Sequence, residues 1–269
     1  MSPELLRAWE HRYGLLQPAR SAGGFRLYSA ADERRVRTMT TLIEGGISAA
    51  EAASRALVEA DDQQGPGAYE LGELGSALSS ALEAFDGDGA NRSIDRLLAS
   101  ASLETIFGRV LVPYLHDLGD RWARGEISIA QEHFASNLLR GRLLGLGRDW
   151  GTGVGSSIVL ACPPGEEHDL ALIMFGIVVA RRGSRVVFLG ADTPVATIRH
   201  ALAATRASRV VVAAARADPL LEHGVELRDL AASARLWLCG AGAEAIDVGT
   251  FGADVLEGGP VQAARSVPP

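Results

Sequence analysis

The carboxyl-terminal part of this chain alternates short apolar runs with amphipathic stretches. Ser157–Ala161, Arg185–Leu189, Arg209–Ala214, Arg235–Leu238 and Ala253–Leu256 are apolar-rich runs of strand length. Between them, helical patterns begin at Asp169, Pro194 and Pro219, the first covering Leu170 to Arg181, with a short one near Ala243. Strands separated by helices read as βαβ units, so residues 156–258 predict a parallel sheet. Upstream, apolar spacing predicts two long amphipathic helices, about Leu103–Arg124 and Ile127–Leu144. Near the amino terminus, Ser2-Pro3-Glu4 reads as a helix start: a cap, a proline at the first position and an early acid. Two packing helices are expected over Asp32–Leu42 and Ser48–Leu57.

Two polar, glycine-bearing stretches punctuate this pattern, Asp61 to Gly67 and Arg148 to Gly155. They divide the 269 residues into three expected modules: 1–60, 68–150 and 156–262. The fold class is therefore multidomain, α followed by α/β. The chain carries a net charge of −7, yet residues 1–58 hold eight arginines against six acidic residues. One locally basic module in an acidic chain suits a regulator better than a general nucleic-acid binder. All 26 basic residues are arginine. Two distant cysteines, Cys162 and Cys239, form neither a metal pair nor a disulfide framework and are expected to be small buried residues. With no signal peptide and no apolar run of transmembrane length, a cytoplasmic protein is expected, with no membrane partner.

Candidate chemistry sits after the first strand, where Cys162-Pro163-Pro164-Gly165 leads into Glu166-Glu167-His168-Asp169. This places an imidazole on the loop at the carboxyl edge of a parallel sheet, where open α/β folds bind ligands. Histidine is also the commonest transition-metal ligand. The residues alone admit a surface histidine on a generic flavodoxin-like domain with tight turns. Glu166-x-His168-x-x-Ala171 resembles the Asp-x-His-x-x-Gly signature of cobalamin-binding domains, with two of its three fixed positions altered. The resemblance implies a flavodoxin-like (Rossmann-type) cobalamin-binding domain with His168 as the lower cobalt ligand and Glu166 in the place of the motif's acid. It implies further that Asp192 and Thr193, in Gly190-Ala191-Asp192-Thr193-Pro194, belong to the cofactor site. Ala213 stands where the family carries a serine at the end of the third strand, and Gly240 and Gly242 fall where its glycine pair admits the nucleotide tail. Losing the serine hydroxyl as a tail partner costs about 1 kcal/mol.

A second motif joins the two long helices: Trp122, nine residues, then Glu132-His133. In a helix numbered from Glu126, the polar pair lies one turn after Ile129 and faces what the apolar stripe faces. Read plainly, this is a helical bundle with a core tryptophan and a solvated Glu-His pair. The spacing resembles the four-helix cap of light-sensing cobalamin transcription factors, in which the tryptophan and glutamate shield the adenosyl group above the corrin. That implies the same roles for Trp122 and Glu132, with His133 beside them. The family histidine that directly follows the tryptophan is Ala123 here, and a methyl group cannot ligate a metal.

Leu5 to Arg20, followed by Gly23-Gly24-Phe25-Arg26-Leu27-Tyr28, resembles the winged helix-turn-helix of MerR-type regulators. The resemblance implies DNA contacts from Arg7, Arg12 and Tyr13 on a recognition helix and from Arg20, Arg26 and Tyr28 on the wing; arginine binds phosphates and guanine edges bidentately. The segment that forms the first helix of that motif in the family does not precede Leu5, so a truncated module with weak DNA binding is expected. Leu5, Leu6 and Trp9 are then expected to need another partner, such as a second subunit. Together these features identify the chain as a member of the MerR-like, light-responsive cobalamin regulators: not an enzyme, binding cobalamin as adenosylcobalamin, homo-oligomeric. Two other readings stay open: a cobalamin photosensor without DNA binding that also holds a bilin, and a corrinoid methyl-carrier protein, which gains nothing from Trp9 through Tyr28.

Overall fold

The structure, a computed structural model, describes residues 3–16, 19–20, 26–28, 30–45, 47–49, 51–53, 56, 67–153 and 155–268. Contacts group the chain into two compact units, Met1–Glu73 and Leu74–Pro269.

In the first unit, helix α1 (Pro3–Tyr13) precedes a two-stranded antiparallel hairpin, β1 (Ala19–Arg20) with β2 (Arg26–Leu27), in which Arg20 lies opposite Arg26. Helix α2 (Ala30–Glu44) follows, and residues 49, 51–53 and 56 are helical. The expectation that Leu6 and Trp9 need a second subunit is corrected here. Gly14, at φ +62°, turns the chain back after α1, and the Leu15 N–H donates to the Trp9 carbonyl at 3.3 Å. Trp9 is thereby buried with Leu15, Leu16, Met39 and Ala52, and Leu6, Tyr13 and Tyr28 pack against the same cluster. Leu5 stays largely exposed.

The second unit opens with a bundle: α3 (Gly67–Glu83), whose first turns belong to the first unit, α4 (Gly87–Ser100), a third helix in two segments, α5 (Leu103–Ile106) and α6 (Val112–Ala123), and α7 (Ile129–Leu146). The third helix was expected to be uniform. A π turn over Phe107–Leu111 interrupts it, and the Val112 N–H reaches back to the Phe107 carbonyl. Pro113 supplies the reason: it lacks an N–H and its ring crowds the carbonyl four residues earlier, which a widened turn relieves. Helix α7 begins at Ile129 rather than at Ile127 because Ser128 forms a complete capping box with Gln131.

Five parallel strands follow, β3 (Ser157–Ala161), β4 (Arg185–Gly190), β5 (Arg209–Ala213), β6 (Arg235–Cys239) and β7 (Asp254–Leu256), in spatial order β4-β3-β5-β6-β7. The intervening helices are α8 (Leu170–Arg181), α9 (Val195–Thr205), the pair α10 (Asp218–Glu222) and α11 (Gly224–Ala231) where one helix was expected, and the short α12 (Ala241–Glu244). Helix α13 (Pro260–Ser266) closes the fold and packs on α8. Residues Leu172 to Val179 of α8 are all buried, since it is covered by the sheet, by α13 and by α7 of the bundle. A helix apolar on every side is stable only when so enclosed. This strand order reverses direction between β3 and β5, and ligands bind outside the carboxyl ends of the strands at such a switch point.

Candidate cofactor site

The loop after β3 carries His168 to that switch point. Gly165, at φ +78°, and Asp192, at φ +46°, make the turns that bring the β3 and β4 loops together. The Gly165 N–H donates to Asp192 Oδ1 at 2.9 Å, and the Asp192 N–H donates to the Glu166 carbonyl at 2.9 Å. The buried Thr193 hydroxyl donates to the Gly190 carbonyl at 3.1 Å. Exposed Asp192 and buried Thr193 therefore brace the loop.

Glu166 is fully buried (0 % exposed) and accepts three hydrogen bonds. Its Oε1 takes the His168 Nδ1–H at 2.6 Å and the His168 backbone N–H at 2.8 Å; its Oε2 takes the Ala215 N–H of the β5 loop at 2.7 Å. Burial by itself pushes this carboxyl up, but the His168 side chain and the two backbone donors outweigh it and hold the carboxyl at about 2. The same contact raises the His168 imidazole above its ordinary value against the effect of burial, and the charge of Glu132 adds to that rise. A carboxylate accepting from Nδ1 fixes the tautomer, so neutral His168 keeps its lone pair on Nε2. That ring is 72 % exposed, so Nε2 is accessible from outside. A single oriented imidazole suits a metal whose other positions are filled by a macrocycle. Among the described residues, no group of three or more metal-ligating side chains exists.

The cap motif lies on an open face. Trp122, on the last turn of α6, is 52 % exposed, and Ile129 is exposed beside the start of α7. The plain expectation of a core tryptophan is thereby corrected: the bundle core is filled by Leu118, Ala135, Leu139 and Leu143 instead. On α7, Glu132 accepts from the Ser136 hydroxyl at 2.6 Å and pairs with His133 Nδ1 at 2.7 Å. Ile129, Glu132, His133, Ser136 and Arg140 share one stripe at helical spacing, beside the buried stripe of Ala135, Leu139 and Leu143. Ala123 is exposed next to Trp122.

Ala213 ends β5 and is buried. Gly240 and Gly242 leave room that backbone fills: a Cβ at Gly240 would lie 2.5 Å from the Ala214 carbonyl oxygen, and one at Gly242 2.1 Å from that of Arg216. Both glycines are thus required for the β5 and β6 loops to touch. Residues that sequence reasoning passed over complete the site. Arg140 of α7 grips Asp169, Ala215 supplies an N–H to Glu166, and Arg216 donates to the Gly165 carbonyl at 3.4 Å. The position of Arg140 two turns after Glu132 was the available signal.

In the first unit, Arg12 is exposed with its guanidinium 5.6 Å from the centre of the Tyr13 ring. Tyr13 and Tyr28 are half-buried against the core. The backbones of Arg7, Arg20 and Arg26 lie on α1, β1 and β2; their side chains fall outside the described part of the structure. No described helix is long and apolar enough to cross a membrane.

Residues 74–144 match the B12 binding domain family and residues 1–55 the MerR HTH family of regulatory proteins. The HTH-type transcriptional repressor CarH of Myxococcus xanthus is 32 % identical over 89 % of this chain and 85 % of its own length. The repressor CarA of the same organism is 35 % identical over 83 % of this chain and 76 % of its own. Among solved structures, the Methanosarcina barkeri monomethylamine corrinoid protein superposes with a TM-score of 0.56 at 17 % identity, covering 72 % of this chain and 94 % of that one, which is a likeness of fold.

Proposed function

We propose, for a chain that belongs to the family of the CarH and CarA HTH-type transcriptional repressors and carries a MerR-type helix-turn-helix with a B12-binding domain, that it is a light-responsive regulator using adenosylcobalamin. The observation that carries this reading is His168, with Nδ1 held by buried Glu166 and Nε2 open at the switch point of the sheet. The residues fit cobalamin: one oriented imidazole for the lower face, a half-exposed tryptophan and a carboxylate for the upper. When bound, adenosylcobalamin would supply a cobalt–carbon bond that light can break.

The protein's own part is positional. Glu166 holds the His168 ring in the ligating tautomer. Trp122 offers an apolar plane with an N–H handle, and Glu132, already held by Ser136, offers acceptors to a ribose. Trp122 and Glu132 would make these contacts only while an upper ligand is in place, so they would bias the bundle between two arrangements, and with it a homo-oligomeric contact and DNA affinity. The amino-terminal segment 1–58, with eight arginines against six acidic residues, is the DNA-binding part, and Arg12 is exposed on it. A second reading, a sensor that pairs cobalamin with a bilin and does not bind DNA, is favoured by Ala123, whose methyl leaves the face beside half-exposed Trp122 open. A methyl-carrier role has support from the fold alone.

The test is an absorption spectrum of the full chain reconstituted in the dark with adenosylcobalamin, then illuminated. It is paired with a gel shift on the upstream region of its own operon at stated salt, since phosphate contacts are salt-dependent. A bound spectrum that light converts, together with light-sensitive retardation, supports the regulator. A red band that cobalamin alone does not give, without retardation, supports the bilin reading. No light-dependent change in either assay refutes both.

A further inference from the structure

The pair Arg140–Asp169 stands out because Asp169 declines its ordinary work. It occupies the cap position before α8, where an aspartate usually accepts from its own helix's first N–H groups. It makes no such bond. Its carboxylate, 3 % exposed, turns instead to Arg140 of α7. Arg140 Nε donates to Oδ1 at 3.0 Å and to Oδ2 at 2.9 Å, and Nη2 donates to Oδ2 at 2.7 Å. Gly190, at the end of β4 with a φ of +88°, lies against the pair: a Cβ there would be in ordinary contact, 3.8 Å from both Arg140 Nη2 and Asp169 Oδ2. The clasp thus gathers α7, the start of α8 and the end of β4 at one point.

Its position gives it meaning. Asp169 is the next residue after His168. Arg140 lies on the stripe that carries Glu132 and Ser136, two turns further along α7. One ion pair therefore joins the helix that carries Glu132, proposed above for the upper face, to the loop that carries His168, proposed for the lower. A planar guanidinium gripping a buried carboxylate fixes orientation as well as distance, which a lysine would not. We propose that Arg140 and Asp169 are positioning residues that lock the helical cap to the His168 loop, so that discrimination between upper ligands depends on them. The proposal rests on the cobalamin reading given above.

The experiment uses the full chain in three forms: wild type, Arg140→Met and Asp169→Asn. Each is titrated in the dark with adenosylcobalamin and with hydroxocobalamin, and affinity and the histidine-on spectrum are recorded. Asp169→Asn keeps the shape and the capping capacity of the position, so it guards against a folding defect in the other variant. Coupling between sites is ordinarily worth about 5- to 150-fold, so both variants should lose roughly tenfold of the wild-type preference for adenosylcobalamin. Both should still bind hydroxocobalamin with the wild-type spectrum. Unchanged preference in the variants or equal weakening toward both compounds overturns the proposal alone; a wild type with no preference to lose overturns it together with the cap roles of Trp122 and Glu132. A wild type that binds neither compound overturns the cobalamin reading and this proposal with it.

Discussion

Glu166→Gln tests the core of the site with the smallest possible change. The carboxylate serves three donors, two on Oε1 and one on Oε2. An amide of the same shape has one acceptor oxygen. With that oxygen toward His168, the NH2 group faces the Ala215 N–H, and a buried donor left without an acceptor costs about 1–3 kcal/mol. With the amide reversed, both His168 donors are lost. The charge is also gone. A carboxyl held at about 2 rather than 4.5 contributes on the order of 3 kcal/mol at neutral pH. That contribution is present above 4.5 and is lost as pH falls toward 2. Removing an outer partner of a metal-bound histidine lowers metal affinity by about 10- to 100-fold, or roughly 1.4–2.7 kcal/mol. Spectroscopic titration with hydroxocobalamin should therefore show this loss in the variant, with part of the bound population base-off. Affinity within about twofold of wild type and a full histidine-on spectrum would show that Glu166 does not orient the ligand.

His168→Ala should weaken cobalamin binding and convert the bound spectrum to the base-off form; an unchanged histidine-on spectrum in that variant removes His168 as the lower ligand. Trp122→Ala should reduce the preference for adenosylcobalamin over hydroxocobalamin by about tenfold, on the order of 1.4 kcal/mol for the lost apolar plane; equal preference in wild type and variant ends the assignment of the cap. In the bundle, Arg121 donates to both oxygens of Glu83 and lowers its carboxyl below 4.5. A depressed carboxyl stabilises the fold above its unfolded value and ceases to as pH falls through its folded one, so thermal midpoints of wild type should drop below pH 4.5 more steeply than those of Arg121→Met. Because the pair is partly exposed, the difference should be only about 1 kcal/mol, and identical profiles would refute the assignment.

Local chemistry alone determined a good deal of this protein. Alternating apolar runs and helical patterns were enough for five parallel strands and the helices between them, because a βαβ unit buries its hydrophobic faces in only a few ways. The loop position of His168 and Glu166 followed from Pro163-Pro164-Gly165, a run that marks a turn after an apolar strand. The start of α1 is legible in Ser2-Pro3-Glu4, while apolar spacing sets that of α7 two residues early, since the Ser128–Gln131 box fixes it at Ile129. What only the tertiary structure decided are matters of partnership between distant segments. Periodicity could not tell that Trp9 finds Leu15 and Met39 within its own unit, or that Trp122 stands outside the bundle core. Nor could it tell that Pro113 is absorbed by a π turn. The grip of Arg140 on Asp169 and the Ala215 N–H on Glu166 lie 29 and 49 residues apart in sequence. A charge pattern records which residues are able to pair, but which of them do is settled by how helix and sheet pack, since the cost of an unpaired buried carboxylate is imposed only once the surrounding fold has excluded water.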